Sequence, residues 1–424
     1  MRVLMFNQYL VTNDSAGTTR PYEIARRLVE RGDKVTVITG DSVYFTGRKF
    51  EGSGWFWHRE TIEGIQVVRV RIPFGGHRGY VQRIIGFLWF MPFAFFAALG
   101  RGPADVVIAS STPLTIGMPA WLISRLRGAP FVLELRDLWP DHAVVWDIVK
   151  NRWLIRATYW LEAFLYKRAK SIITLTDGIR QEVIAKGIPA QKVRTITNAS
   201  NLSIFTPNGP VADLTHVGIP QGSFVCLYSG SLGMGNYLDF ILDVAEELRE
   251  EPKVHFLFLG TGLEKQHLKD EVRNRKLDQV HFLEPVLKRD VPSHLRAATV
   301  GFAFVKPSSL TYICLPNKFF EYLACGVVPI VNYTGEASNY LESARAGIAV
   351  SPSDKHEVAQ VIRDLAGSPE KLQELCTNAR QLAERRFGWN HKAVEFREVL
   401  ALAAAKDSQR RADEIGEPEV EARV

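Results

Sequence analysis

Leu315-Pro316-Asn317-Lys318-Phe319-Phe320-Glu321-Tyr322-Leu323-Ala324-Cys325-Gly326, followed by the apolar run Val328-Pro329-Ile330-Val331, reads as a short helix feeding a buried strand. Lys318 and Glu321 are three residues apart at the start of that helix, so they share one face. A helix N-terminus attracts phosphate through its free N–H groups and its dipole, and Lys318 adds a full positive charge. Glu321, one turn deeper, can accept hydrogen bonds from ribose hydroxyls. Pro316 and Asn317 complete this candidate seat for a nucleoside diphosphate. The same pattern also describes an ordinary amphipathic helix with Phe319, Phe320, Leu323 and Ala324 toward the core and Lys318–Glu321 as a solvated pair. The rest of the chain decides between the two.

Outward from this stretch, strand-like and helical patterns alternate, as parallel sheets with crossover helices require. A first series has strands at Val3–Phe6, Lys34–Thr39, Ile65–Arg71, Val106–Ser110, Phe131–Leu135, Ser171–Leu175 and Val193–Thr197, with helices between them. A second follows the turn-rich Phe205-Thr206-Pro207-Asn208-Gly209-Pro210, with strands at Phe224–Tyr228, Val254–Leu259, Val280–Phe282, Thr299–Phe304 and Val328–Val331. The expected fold is α/β, with two Rossmann-like doubly wound domains facing each other across a cleft and ligands outside the carboxyl ends of the strands. The expected boundaries are 1–205, 206–385, a returning helix at 386–405 and a charged, disordered tail at 406–424.

At 424 residues, 46% hydrophobic and 23% charged, the chain has enough apolar material for two cores. A net charge of +6 is mild for this length and points to acidic small ligands or an anionic membrane surface, and to no nucleic acid. The four cysteines, Cys226, Cys314, Cys325 and Cys376, show no metal or redox spacing and read as reduced thiols of a cytoplasmic protein. Ile84–Leu99 is the one membrane-like stretch, shorter than the roughly 20 residues a spanning helix needs. Arg78, Arg83 and Arg101 flank it, which suits a core helix with solvated ends or one that dips into the inner face of a membrane.

Three further loops are placed to carry chemistry. Asn13–Pro21 follows the first strand; its small residues Gly17 and Thr18 let backbone approach a phosphate or sugar, and Arg20 stands where it could pair with an anion. It equally fits a plain strand-to-helix loop capped by Ser15 or Thr18. Glu134-Leu135-Arg136-Asp137-Leu138-Trp139-Pro140-Asp141-His142 leaves a buried strand at its carboxyl end. There Asp137 is either catalytic, orienting a hydroxyl or stabilising positive charge on a sugar ring, or half of a bracing pair made by Arg136 with Asp137 or Asp141. Ser229–Asn236 carries Gly230, Gly233 and Gly235, which suit close approach to phosphate, and the bend at Val286 could read a base edge through its amides. No paired carboxylates of the DxD kind occur in these loops, so we expect neither a metal nor a cofactor.

In this order the pieces resemble a GT-B glycosyltransferase of glycosyltransferase family 4, with likeness to the WbuB-like bacterial branch that builds O-antigen and capsule sugars. The matching stretches are Ser15–Leu28, Ser110–Leu114, Leu135–Pro140, Ile173–Thr176, Tyr228–Gly233, Phe258–Gly262 and Leu315–Gly326. The resemblance implies that the C-terminal domain binds a nucleotide sugar, with uracil the expected base, Glu321 on the ribose, Lys318 on the diphosphate and backbone near Val286 on the base. The N-terminal domain would take a lipid-linked saccharide, and transfer would retain the anomeric configuration without an obligatory metal. The final helix near Trp389 would cross back to the N-terminal domain. A nucleotide-sugar 2-epimerase and a catalytically silent membrane scaffold are the alternatives. Two departures stand out: Ile313 occupies the first position of a common Glu-x7-Glu, and Ser231 and Asn236 stand where an Arg and a Lys often neutralise the diphosphate. Lys318, Arg20 and helix dipoles are then the expected charge for a dianion.

Overall fold

The computed structural model describes residues 1–15, 17–42, 49–50, 55–73, 80–146 and 149–415. Two sheets follow one another along the chain. The first contains β1 (Arg2–Phe6), β2 (Lys34–Gly40), β3 (Trp57–Ile62), β4 (Ile65–Val70), β5 (Val106–Ser110), β6 (Phe131–Leu135), β7 (Ser171–Thr174) and β8 (Val193–Thr195), in the order β3-β4-β2-β1-β5-β6-β7-β8. The second contains β9 (Phe224–Ser229), β10 (Val254–Leu259), β11 (Val280–Leu283), β12 (Val300–Phe302), β13 (Val328–Val331) and β14 (Ile348–Ala349), in the order β11-β10-β9-β12-β13-β14. All pairings are parallel except β3 with β4.

Strands covered by helices on both faces need apolar side chains in both directions, which is why β5 is apolar from Val106 to Ala109 and β6 from Phe131 to Leu133, with both strands buried throughout. β3 escaped the sequence reading because Trp57-His58-Arg59-Glu60-Thr61-Ile62 is a half-polar edge strand. Glu63 and Gly64, at φ 46° and 80°, fold it back onto β4 in a two-residue hairpin turn. In each sheet the chain reverses direction beside its first strand, between β1 and β5 and between β9 and β12. The loops leaving those strands therefore open into a crevice at the carboxyl edge.

Helix Pro369–Arg386 lies against helix Asn317–Cys325, and Arg380 Nη1 donates to Ala324 O at 2.6 Å and to Phe205 O at 2.9 Å. The chain then breaks at Gly388, where Ser200 N donates to Phe387 O and Trp389 N to Ser200 O. Beyond it helix Trp389–Ile415 returns to the N-terminal domain, where Trp389, Phe396, Leu400 and Ala403 share a core with Val3, Met5, Ile24 and Leu28. The backbone from 406 to 415, the first ten residues of the expected tail, continues this helix. The segment's polarity argued against packing, but no glycine or proline interrupts it before Gly416, so nothing stops helix propagation. The last nine residues of the expected tail, 416–424, lie outside the described residues.

Helix Tyr80–Leu99 is two-faced. Phe90, Ala94, Ala97 and Ala98 are buried in the N-terminal core, and Leu88, Trp89, Phe96 and Leu99 are exposed. No helix among the described residues is long and apolar enough to cross a membrane. Arg78 and the side chain of Arg83 lie outside the described residues.

Candidate active site

A cavity of about 270 Å³ opens between the carboxyl edges of the two sheets. One wall is helix Asn317–Cys325. Pro316, extended at φ −71° and ψ 150°, leads into it, and no side chain caps its N-terminus, which leaves its first N–H groups open to a ligand. Asn317 Nδ2 donates to Thr18 Oγ1 across the cleft at 3.1 Å. Lys318 is buried; its ammonium donates to Tyr228 Oη at 3.0 Å and Asn236 Oδ1 at 3.4 Å, and lies 4.1 Å from the Tyr228 ring centre. Burial pushes its pKa down to about 7, with nearby Glu321 opposing the shift. An ammonium so placed gains from an arriving anion, because two neutral oxygens and a ring face replace its lost water only in part.

Glu321 is buried on the same wall, yet it does not pair with Lys318. Its carboxylate accepts a hydrogen bond from Lys288 Nζ, which also sits 5.2 Å from the Phe205 ring centre. Lys288 lines the cavity. Sequence reasoning missed it because Lys288-Arg289-Asp290 has the look of a solvated charge run.

Gly230 and Gly260 let the two glycine turns of the second domain touch backbone to backbone. At φ +135° and +153° both hold conformations that side chains disfavour, and a Cβ on Gly260 would fall 1.9 Å from Gly230 O. Gly230 N donates to Leu259 O and Leu232 N to Thr261 O, so the turns form one floor under Lys318. Gly230, Val286, Pro316 and Asn317 all line the cavity. Gly233 does not: its carbonyl accepts from Asn236 N at 3.0 Å, outside the lining.

Gly17 and Thr18 supply the opposite wall from the N-terminal domain. Arg20 does not join them, which corrects its expected role with anions. It is fully buried, pairs with Glu134 at 2.8 Å, donates to Thr197 O at 2.7 Å and Ile196 O at 2.9 Å, and lies 5.5 Å from the Trp389 ring centre. Those partners sit at the ends of β6 and β8 and on the returning helix, too distant in sequence to be foreseen. Asp137 is exposed beyond the end of β6, outside the cavity lining, with Oδ2 accepting from Thr112 Oγ1 at 2.7 Å. Arg136 pairs with neither Asp137 nor Asp141; Asp141 is held by Lys186 and Tyr159. Among the described residues no three His, Cys, Asp or Glu side chains gather as a metal site.

Two facing parallel sheets, an interdomain cavity and a helix N-terminus with a buried lysine define a glycosyltransferase of the GT-B class. The chain carries a glycosyl transferase 4-like domain over residues 16–199 and a glycosyl transferases group 1 domain over residues 223–368. It is 25% identical over 381 residues to WcaI of Escherichia coli, named as a colanic acid biosynthesis glycosyl transferase, covering 86% of this chain and 90% of that one. Among solved structures, sucrose-phosphate synthase from Thermosynechococcus elongatus superposes with a TM-score of 0.74 at 18% identity, covering 96% of this chain and 99% of that chain. HepE of Anabaena, solved with UDP-glucose, does so with a TM-score of 0.69 at 15% identity, covering 95% and 99%.

Proposed function

We propose that this enzyme transfers a hexose or N-acetylated amino sugar from a nucleoside diphosphate, UDP in the first instance, to a lipid-linked saccharide, with retention at the anomeric carbon. The biosynthetic setting is a bacterial surface polysaccharide, O-antigen or capsule, as in the WbuB-like branch. The observation that carries the reading is one cavity walled by an uncapped helix N-terminus, Lys318 and Glu321 on one side and by Gly17 and Thr18 on the other. Helix N–H groups and Lys318 hold the diphosphate, and preorganised charge of this kind favours a leaving diphosphate. Glu321 accepts from the ribose, backbone at Val286 meets the base, and Asp137 acts on the acceptor hydroxyl or on positive charge in the sugar ring. HepE, which has this fold, was solved with UDP-glucose, and WcaI is named for colanic acid biosynthesis; both support the assignment.

The acceptor's lipid places the work at the inner face of the cell membrane. Leu88, Trp89 and Phe96 of helix Tyr80–Leu99, Leu126 of helix Gly117–Arg127 and Trp153 and Trp160 of helix Arg152–Arg168 are exposed, with Arg125, Arg152 and Arg156 exposed on the same helices. Apolar anchors interleaved with arginines match an anionic bilayer.

The deciding experiment is mass spectrometry of purified protein incubated with a panel of nucleotide sugars, with and without polyprenyl-linked saccharide. Acceptor-dependent release of nucleoside diphosphate is expected. A changed sugar without acceptor would mean an epimerase, and failure to bind any nucleotide would mean a silent scaffold.

A further inference from the structure

We propose that Arg136 is a donor-binding residue, its guanidinium reaching from the N-terminal domain to the diphosphate seated on helix Asn317–Cys325; the proposal rests on the nucleotide seat assigned above. Arg136 leaves the carboxyl end of β6, where its backbone N donates to Ser111 Oγ at 3.2 Å. Its Nη2 stands 3.4 Å from Thr18 Oγ1, the same hydroxyl that accepts from Asn317 Nδ2 at 3.1 Å. One hydroxyl therefore separates this guanidinium from the first residue of the nucleotide helix; Thr18 lines the cavity, and Arg136 stands directly behind that lining.

The charge on Arg136 is unanswered. Among the described residues no carboxylate lies within ion-pair distance of it, and its Nε is buried without a partner. The buried arginines Arg20, Arg27 and Arg69 each have a carboxylate of their own, Glu134, Glu23 and Glu60. Nearby acids are committed elsewhere: Glu134 to Arg20 and Ser110, Asp137 to Thr112, Asp141 to Lys186. Burial presses the guanidinium pKa down, with Glu134 and Asp137 opposing and Arg20 adding to the effect. Arginine nonetheless stays charged, and a desolvated charge is retained where a counter-ion meets it.

The chemistry of that counter-ion follows from the site. A guanidinium fork suits phosphoryl oxygens, which accept two parallel N–H bonds. The glycine turn Ser229–Asn236 offers no cation, and Lys288 is already held by Glu321. Lys318, with a pKa near 7, is only partly charged at neutral pH. Arg136 would add a permanent charge to the proton-dependent charge of Lys318, which a bound diphosphate draws toward the ammonium. The Thr18–Asn317 bridge places the guanidinium beside the donor rather than out at the acceptor's lipid.

The test is calorimetry without acceptor, on wild type, Arg136→Met, Arg136→Gln, Arg136→Lys and Lys318→Ala. The probes are UDP, GDP, ADP and dTDP, each with its nucleoside. Arg136→Met and Arg136→Gln are expected to lose about 10- to 100-fold in affinity for the preferred diphosphate while nucleoside binding is unchanged, and Arg136→Lys to recover part of the loss. Equal losses for nucleoside and diphosphate would assign Arg136 to loop bracing and overturn the proposal. Wild-type affinity in the Arg136 variants, beside a loss in Lys318→Ala, would overturn it and leave the nucleotide seat standing. Unchanged diphosphate affinity, with a raised KM for the saccharide acceptor in a companion turnover assay, would move the guanidinium to an acceptor phosphate, again against the proposal. If wild type binds none of the four diphosphates, seat and proposal fall together.

Discussion

Lys288 donates a hydrogen bond to the carboxylate of Glu321, 33 residues further along the chain, with only 13% and 11% of the two side chains exposed. The pair ties the loop after β11 to the nucleotide helix and fixes where the Glu321 oxygens point. Removing one partner from a pair this deeply set leaves a charge without compensation. Lys288→Met is therefore expected to cost about 3 kcal/mol in urea unfolding. Adding Glu321→Gln should recover part of it, as a coupling of roughly 1–3 kcal/mol. Additive effects in that double-mutant cycle would show that the pair contributes nothing to the fold.

Lys318→Ala and Glu321→Ala separate the two ends of the nucleotide. Loss of the lysine should weaken UDP by roughly 10- to 150-fold and leave uridine untouched, since only the diphosphate meets the ammonium. Glu321→Ala should weaken uridine, UMP and UDP by similar factors. Calorimetry compares them directly; equal losses of uridine and UDP in the lysine variant would misplace the seat.

Lys318 also predicts a pH dependence with a defined sign. Its pKa is held near 7 in the folded protein against an ordinary 10.5, so a growing share of the free protein carries a neutral amine above pH 7, whereas a bound diphosphate favours the ammonium. Donor binding should take up protons above pH 7, seen as a dependence of calorimetric heat on the buffer's ionisation enthalpy, and affinity should fall as pH rises. The folded-state pKa lies below the unfolded one, so between pH 7 and 10.5 the unfolded chain binds the extra proton. The group therefore weakens the fold as pH drops through that window, and its cost is complete below 7. Lys318→Met should raise stability at pH 7 by about 1–4 kcal/mol, with a smaller gain at higher pH, while abolishing the proton uptake. An unchanged or lowered melting temperature in that variant would contradict the buried-cation account.

Asp137→Ala should lower turnover by about 10²–10⁴-fold and change donor affinity little. Its carboxylate is exposed and holds only Thr112 Oγ1 among the contacts seen, so the fold should tolerate the loss. Thr112→Val serves as the control for loop bracing. Near-normal turnover at an unchanged melting temperature would reduce Asp137 to a loop residue.

Liposome flotation measures the membrane face. Recovery with anionic vesicles should exceed recovery with neutral ones, and Trp153→Ser with Trp160→Ser should reduce it, because interfacial tryptophans anchor at the headgroup level. Equal recovery with and without anionic lipid, for folded protein, would remove the membrane from the account.

Local pattern was sufficient wherever a residue's role depends on its sequence neighbours. Apolar runs such as Val106–Ala109 mark strands buried on both faces, and their alternation with helices specifies two doubly wound sheets. The spacing of Lys318 and Glu321 likewise places both on one face of a helix whose N-terminus meets the cavity. Tertiary structure alone decided which charges meet. Arg20 opens the helix that follows β1 and Arg136 stands in the loop that follows β6, but Arg20 is spent on Glu134 and the carbonyls of Ile196 and Thr197, while Arg136 keeps its charge beside Thr18. Lys288 enters the site only because β11 ends opposite the nucleotide helix, and Lys318 loses its water only because Tyr228 and Gly230 close around it. A charge is assigned by what replaces its hydration, and those replacements come from residues that only the folded chain brings within a few ångströms.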